Sequence, residues 1–391
     1  MYYCGIDVGK NSHTVLVMNE RGEVTRPAQR IENDREGLNQ LLGLLSSYAG
    51  QIFIGLEATG HYWLALFEAL TRHNYPLVVL NPMQVRAYRK IDIRKRKTDR
   101  QDAYWIADFV RFAQPSPSSL DIPVYLQLRE LSRFRFRLTQ QIGDCKRKII
   151  CILDRVFPEY ERLFSDVFLR SSRQLLQGAV TAEDFAGLDM TELEQVLNRV
   201  SRGRFGYEQA KAIQEAAQKS IGVSFLTDAV HIEMSCLLKQ IGLLEQQQKT
   251  VERKLEEMMA QIPQYITTIP GVGLATGAML LAEIGDIHRF ESLEKLVAYA
   301  GIDASVYQTG LFEGDQMHMS KRGSHYLRYA LWQAASASLL HNPEMKSYYD
   351  KKRGEGKPHG VAMGAVCHKL LGRVYVILKE CRPYVIYPQK N

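Results

Sequence analysis

The start of the chain carries short apolar runs broken by turn chemistry. Tyr2 to Val8 and His13 to Met18 are apolar and β-branched, and Asn19-Glu20-Arg21-Gly22 separates Met18 from Glu23-Val24. That pattern predicts two strands joined as a hairpin, with a third after it. Leu38, Leu41, Leu42 and Leu45 then recur at helical spacing behind Asn33-Asp34-Arg35-Glu36, an N-cap with an acidic residue three on. Ile52 to Glu57, bounded by Gly50 and Gly60, reads as a buried strand that finishes on a carboxylate. Trp63, Leu64, Phe67 and Leu70 mark a second helix, and Leu77 to Leu80 a fifth strand stopped by Asn81-Pro82. Thr98 can cap the helix that carries Asp99 and Asp102.

Further along, Gln114-Pro115-Ser116-Pro117-Ser118-Ser119 is a composition break and marks the exit from a first domain at residues 1–114. From Val124 to about Val156 the pattern is helical, with Leu126, Leu128, Leu131, Phe134, Leu138 and Ile142 apolar. Arg129, Arg133, Arg135, Arg137, Lys146, Arg147 and Lys148 surround that stripe, and their excess favours a second phosphate-facing surface. Residues 158 to 225 are mixed helical segments without extractable chemistry. Val230 to Met259 is long, helical and rich in Leu, Gln, Glu and Lys, and could pair with a copy of itself as a coiled coil. The middle region is set at 115–262.

A last domain, 263–391, opens on Ile269-Pro270-Gly271-Val272-Gly273 and an apolar helix. The segment resembles a helix-hairpin-helix, in which backbone N–H groups near Gly271 and Gly273 hold a phosphate without reading sequence. Helices are predicted over Phe290 to Tyr299, Tyr326 to Leu340 and Ala362 to Leu378. Between the first two lie a polar, glycine-bounded stretch from Ala300 to Gly310 and the basic loop Met319 to Ser324, with Lys321 and Arg322 as phosphate contacts. Lys351 to Pro358 reads as a flexible basic loop.

Composition narrows the class without naming it. At 391 residues, 46% hydrophobic and 24% charged, the chain is long and apolar enough for two or three packed domains. A net charge of +7 is a modest excess, so the local clusters matter more than the sum. The six cysteines show no metal spacing and are expected to be buried free thiols in a reducing cytoplasm. No secretory signal and no apolar run of membrane length are visible, so a cytoplasmic, nucleoid-associated protein without membrane contact is expected.

The densest basic run, Arg86, Arg89, Lys90, Arg94, Lys95, Arg96 and Lys97, ends directly on Asp99-Arg100-Gln101-Asp102. Two aspartates three apart share one helix face. A hard cation held by carboxylates beside a basic surface is what phosphodiester chemistry needs. Three strands, helix, strand, helix, strand, helix is the order of the α/β ribonuclease H-like fold. If the first and fourth strands are neighbours, Asp7 and Glu57 at their ends converge with Asp99 and Asp102. Asp92 and Asp108 read as ordinary surface or capping acids.

Gly-Ile-Asp-Val-Gly-Lys at 5–10, Glu-Ala-Thr-Gly at 57–60 and Lys-Thr-Asp-x-x-Asp-Ala at 97–103 come first in the chain. Ile-Pro-Gly-Val-Gly at 269–273, Ala-Tyr-Ala-Gly-Ile at 298–302 and Met-Ser-Lys-Arg-Gly at 319–323 follow. In that order they resemble the DEDD transposases of bacterial insertion sequences, the IS-one-ten and IS-eleven-eleven group. The resemblance implies a Holliday-junction-resolvase-like N-terminal domain, a coiled-coil middle and a mainly helical C-terminal transposase domain. It also implies an oligomeric recombinase, dimer or tetramer, directed to donor and target DNA by a bridge RNA. On this sequence Asp7, Glu57, Asp99 and Asp102 become the tetrad for Mg²⁺, with Mn²⁺ as a substitute. Arg94, Lys95, Arg96, Lys97 and Arg100 become phosphate contacts. The family's nucleophilic serine, in a Tyr-x-Ser-Gly segment, falls on Thr309 of Tyr307-Gln308-Thr309-Gly310. Threonine keeps the hydroxyl but crowds it with a methyl; Ser305 and Ser320 are the nearby substitutes. Two other readings use the same residues: a metal-dependent nuclease or junction resolvase with water as nucleophile, and an inactive nucleic-acid-binding scaffold.

Overall fold

The computed structural model describes residues 1–48, 50–58, 60–80, 82–89, 98–118, 123–303, 308–309, 312–313 and 319–385. The chain divides into two compact units, Met1–Leu120 and Asp121–Asn391.

In the first unit, β1 (Tyr2–Val8) is apolar on both faces, so it must be covered on both. It pairs antiparallel with β2 (Ser12–Asn19), which pairs antiparallel with β3 (Val24–Glu32). After α1 (Arg35–Ser46), β4 (Ile52–Glu57) pairs parallel with β1; after α2 (Trp63–Arg72), β5 (Leu77–Leu80) pairs parallel with β4. The order is β3-β2-β1-β4-β5, which makes the first and fourth strands neighbours and is the ribonuclease H-like arrangement of strands. A short helix not expected as a separate element, α3 (Pro82–Arg89), precedes α4 (Asp99–Ala113). Alternate residues sort the core: Ile6, Val15, Val17, Ile54 and Leu56 pack with α1 and α2, whereas Tyr3, Leu16, Met18, Phe53 and Val78 pack with α4.

The Thr98 cap is present as expected, whereas the cap of α1 falls one residue later than the expected spacing, on Asp34 rather than Asn33. Asp34 accepts from the Gly37 N–H at 2.8 Å, and Thr98 from the Gln101 N–H at 3.3 Å.

The second unit is built on α5 (Pro123–Val156), which is followed by a 3₁₀ turn over Pro158–Leu163. Residues 158 to 225 resolve into α6 (Arg170–Leu175), α7 (Ala182–Gly187), α8 (Met190–Ser201) and α9 (Tyr207–Gln218), packed around the rings of Phe157, Tyr160, Phe164 and Phe185. A second long helix, α10 (Thr227–Met259), runs antiparallel to α5. Arg135 pairs with Glu252, Gln248 donates to Thr139, and Arg155 lies near Glu233.

The remaining elements are α11 (Leu274–Ile284), α12 (Leu293–Ala300), the small hairpin β6 (Gln308–Thr309) and β7 (Phe312–Glu313), α13 (His325–His341), α14 (Pro343–Gly354) and α15 (His359–Glu380). One apolar core runs through α5, α10, α11, α13 and α15, so the boundary expected at 262/263 falls inside a single core.

Four expectations change. The arginines of α5 are not all free for phosphate: Arg129 donates to the Ala282 carbonyl, Arg133 pairs with Glu283 and Arg135 with Glu252. Lys351 to Gly354 is the end of α14, not loop: Lys351, Lys352 and Arg353 fill its last turn, where cations meet the negative end of the helix dipole. Cys151, Cys236 and Cys381 are exposed, whereas Cys4, Cys145 and Cys367 are buried. Finally, α15 is long and apolar enough to cross a membrane, yet Ala362, Met363, Val366, Cys367, Leu370, Leu371, Val374 and Ile377 form a buried stripe along it, as in a core helix.

Candidate active site

The site begins with two glycines. Gly5 of β1 and Gly55 of β4 are register partners in the parallel pair, and together they floor a groove in which α4 lies. A Cβ on Gly5 would stand 2.0 Å from the Ala103 carbonyl oxygen and 2.5 Å from the Ala107 nitrogen. One on Gly55 would stand 2.6 Å from a Val110 methyl. A mid-strand glycine signals such a close approach, and that signal is present in the sequence at both positions.

The close approach brings acids together. Asp7 follows Gly5 by two on β1, and Glu57 ends the neighbouring β4. Asp99 and Asp102 occupy the first turn of α4, three apart, and Asp102 is only 7% exposed. Burial first, and then the charges of Asp102, Glu57 and Asp99, push the Asp7 carboxyl from its ordinary value up to about 7, against the opposing pull of Arg89. Three of the four expected acids therefore act on the carboxyl of the fourth.

Arg89, at the end of α3, reaches Asp102 with Nη1 2.5 Å from Oδ1. It thus leaves the basic run in which the sequence placed it and becomes the internal counter-charge of the acids. Among the described residues, no three His, Cys, Asp or Glu side chains are drawn tightly enough around one point to hold an ion as they stand. The donor set nevertheless fits a hard divalent cation, since every donor is a carboxylate oxygen and their mutual repulsion is what a cation relieves. Asp108, six residues on from Asp102 and so on another side of α4, belongs elsewhere: it accepts from the Tyr88 hydroxyl at 2.8 Å and from Arg111 at 2.6 and 2.9 Å.

The other expected residues are dispersed. Arg100 is exposed on the first turn of α4. Arg94, Lys95, Arg96 and Lys97 lie outside the described residues, as do Asp92, Ser305, Tyr307 and Gly310. The Thr309 backbone pairs with Phe312 in the β6–β7 hairpin. Ser320 donates its hydroxyl to the Asp303 carboxylate and is so engaged. Lys321, in a left-handed conformation at φ +53°, and Arg322 are exposed. Gly271, at φ +95°, has a packing reason: its missing Cβ makes room for the backbone of Ser338, whose hydroxyl donates to the Pro270 carbonyl. Gly273 is exposed at the N-cap of α11.

Comparison with known proteins defines first a class, an enzyme that processes DNA. Residues 4–158 match a family model described as a transposase, and residues 263–350 match one described as a transposase of the IS116/IS110/IS902 family. The chain belongs to the IS110 family of transposases.

Several relatives match nearly end to end. An insertion element IS900 uncharacterized 42 kDa protein of Mycobacterium paratuberculosis is 25% identical over 98% of this chain and 96% of its own length. A mini-circle putative transposase for IS117 of Streptomyces coelicolor is 25% identical over 96% of this chain and 94% of the relative. A pilin gene-inverting protein of Moraxella lacunata is 22% identical over 98% and 97%. Among solved structures, T. thermophilus RuvC in complex with Holliday junction substrate matches at 16% identity, over 30% of this chain and 99% of that one, with a TM-score of 0.24.

Proposed function

We propose that the protein is an RNA-guided DNA recombinase that cuts and exchanges donor and target strands through a covalent protein–DNA link. The observation that carries the reading is the convergence of Asp7 on β1, Glu57 at the end of the neighbouring β4, and Asp99 and Asp102 on the first turn of α4, which packs against Gly5 and Gly55 of those strands. Clustered acids oppose folding, so their assembly at a strand end points to a cation and to phosphate chemistry.

In this reading Asp7, Glu57, Asp99 and Asp102 hold Mg²⁺ or Mn²⁺. When bound, the ion supplies Lewis-acid polarisation of the scissile phosphate and neutralises charge developing on it. The chain's own residues do the rest. The Thr309 hydroxyl attacks phosphorus: a P–Oγ bond forms, the hydroxyl proton is lost to a base, and the P–O bond to the departing strand breaks, leaving a free hydroxyl on that strand. Reversal by the hydroxyl of another strand completes the exchange. Lys321, Arg322, Arg100 and the run Arg94 to Lys97 hold backbone phosphates, and so does the glycine turn at Gly271 and Gly273, acting as a helix-hairpin-helix. Binding should therefore weaken steeply with salt. The antiparallel α5 and α10 serve a coiled-coil dimer or tetramer, and a bridge RNA supplies sequence choice, which leaves the protein to recognise shape and backbone.

The test is a denaturing gel. Protein, Mg²⁺, element-end DNA and RNA from the flanking non-coding strand are incubated and run with and without protease. A protease-sensitive adduct that disappears in Thr309→Ala supports the recombinase. Free cleavage that survives that substitution would replace it with a nuclease using water, and full activity in Asp102→Asn would overturn the tetrad.

A further inference from the structure

Glu283 is the anomaly of the second unit. It sits near the end of α11, a helix otherwise apolar from Gly277 to Ile284, and is 0% exposed. Its Oε1 accepts from Arg133 Nε at 2.7 Å; its Oε2 accepts from Arg133 Nη2 at 3.1 Å and from the Ser324 hydroxyl at 2.8 Å. The Arg133 guanidinium lies over the Tyr326 ring, 4.6 Å from its centre. A buried ion pair is weak evidence for stability, because desolvation offsets most of the attraction. Its use must be sought in what it fixes.

What it fixes is the base of a loop. Ser324 donates its N–H to the Tyr299 carbonyl at 2.8 Å, Lys321 to Gly301 at 3.0 Å and Ser320 to Asp303 at 2.9 Å. These three rungs join 299–303 to 320–324, the two ends of the segment that carries β6, β7 and Thr309. The fit is close: a Cβ on Gly323 would stand 1.8 Å from the Tyr299 oxygen. Arg328 adds a bond to the Ala300 carbonyl at 3.1 Å. The ladder is tied to the unit's core where Ser324 meets Glu283, which Arg133 in turn ties to α5.

We propose that Glu283, acting through Ser324, is a positioning residue that sets the base of the Thr309 loop. This rests on the reading of Thr309 as nucleophile. Glu283 touches no reacting atom; it holds the ladder from which the hydroxyl is presented.

Ser324 also caps α13, accepting from the Leu327 N–H at 3.2 Å, so the test must separate capping from positioning. Aspartate caps a helix about as well as serine but cannot donate to Glu283 and repels it; threonine retains both bonds. Hydrogen exchange is followed at the Ser320, Lys321 and Ser324 amides of the full chain. It should accelerate about tenfold in Ser324→Ala and Ser324→Asp, with α15 unchanged and near wild-type protection in Ser324→Thr. In parallel, the rate of covalent adduct formation at saturating DNA should fall on the order of tenfold or more in the same two variants, with the DNA concentration for half-saturation unmoved. Glu283→Gln should give the same pair of effects.

Wild-type exchange and adduct rate in Ser324→Asp would reduce Ser324 to a cap and overturn the proposal. A Thr309-dependent adduct formed at the wild-type rate in Ser324→Ala overturns the positioning role and leaves the nucleophile standing. No such adduct from the wild type overturns the nucleophile reading and this proposal with it, whatever the exchange shows.

Discussion

The groove under α4 makes a quantitative test of how the acids are assembled. In Gly5→Ala the new methyl would stand 2.0 Å from the Ala103 carbonyl oxygen, against an ordinary contact of 3.4 Å or more, and 2.5 Å from the Ala107 nitrogen. Both obstacles are backbone of one helix, so no side-chain rotation relieves them. The helix must recede from β1 by about 1.4 Å, or the strand must bend. Overpacking of this kind costs roughly 1–3 kcal/mol, or more where backbone must move. For a unit of this size that corresponds to a fall of roughly 4–12 °C in its melting temperature. Asp102 immediately precedes Ala103, and Asp7 lies two residues beyond Gly5, so the same displacement parts the acids. A misplacement of about 1 Å in a reacting constellation can cost about 100-fold in rate. The control is Gly43→Ala on the exposed side of α1, where a Cβ meets nothing within 4 Å. That change should be neutral or stabilising by up to ~1 kcal/mol. Thermal melts of the full chain and adduct formation on the denaturing gel read both effects. Gly5→Ala with wild-type melting and wild-type rate would refute the tight floor, and with it the geometry argued for the site.

Asp7 supplies a pH test. Its carboxyl is raised in the folded chain from 3.8 to about 7, so the fold binds a proton that the unfolded chain has released, and stability falls as pH rises across that window. Without divalent ions, Asp7→Asn should therefore melt higher than wild type at pH 8, by on the order of 1–2 kcal/mol after discounting partial exposure, with the gap closing toward pH 4. A gap that does not change with pH would refute the charge crowding. Arg89→Gln removes the guanidinium that competes for Asp102, and the Mg²⁺ concentration for half-maximal activity should fall several-fold, up to about tenfold; a rise would mean that Arg89 supports the ion rather than competing with it. Asp108→Asn should cost roughly 1–3 kcal/mol in melting by leaving Arg111 and Tyr88 short of an acceptor, while the Mg²⁺ response stays as in wild type. Loss of that response would enlarge the site to include Asp108.

Much of the first unit was legible because its determinants are local. The strands are bounded by turn residues, Asp34 and Thr98 cap the helices they precede, and the spacing of Asp99 and Asp102 is one helical turn. The parts that were not legible depend on partners far away in sequence. The arginine stripe of α5 has the pattern of a solvated face, yet Arg135 finds Glu252 at a separation of 117 residues and Arg133 finds Glu283 at 150. A periodicity argument sees which side of a helix is polar, not what stands opposite it. For the same reason Arg89 is indistinguishable in sequence from its basic neighbours, though its guanidinium turns to an acid on another helix.

Asp102 and Asp108 show where local reasoning and spatial reasoning meet. Both lie on α4, both are nearly buried, and both pair with an arginine. Burial and pairing therefore do not distinguish a working acid from a structural one. The sequence separated them by neighbourhood, since Asp102 is one turn from Asp99 and within reach of strands ending in Asp7 and Glu57. The structure separates them by what each carboxylate acts on. Asp102 drives up a second acid, which is a cost to the fold unless a cation is to be held. Asp108 accepts three hydrogen bonds from Tyr88 and Arg111 and joins no such cluster. An acid whose surroundings penalise its own neighbours is the stronger candidate for chemistry, and by that criterion the four carboxylates at the end of β1 stand apart from Asp108.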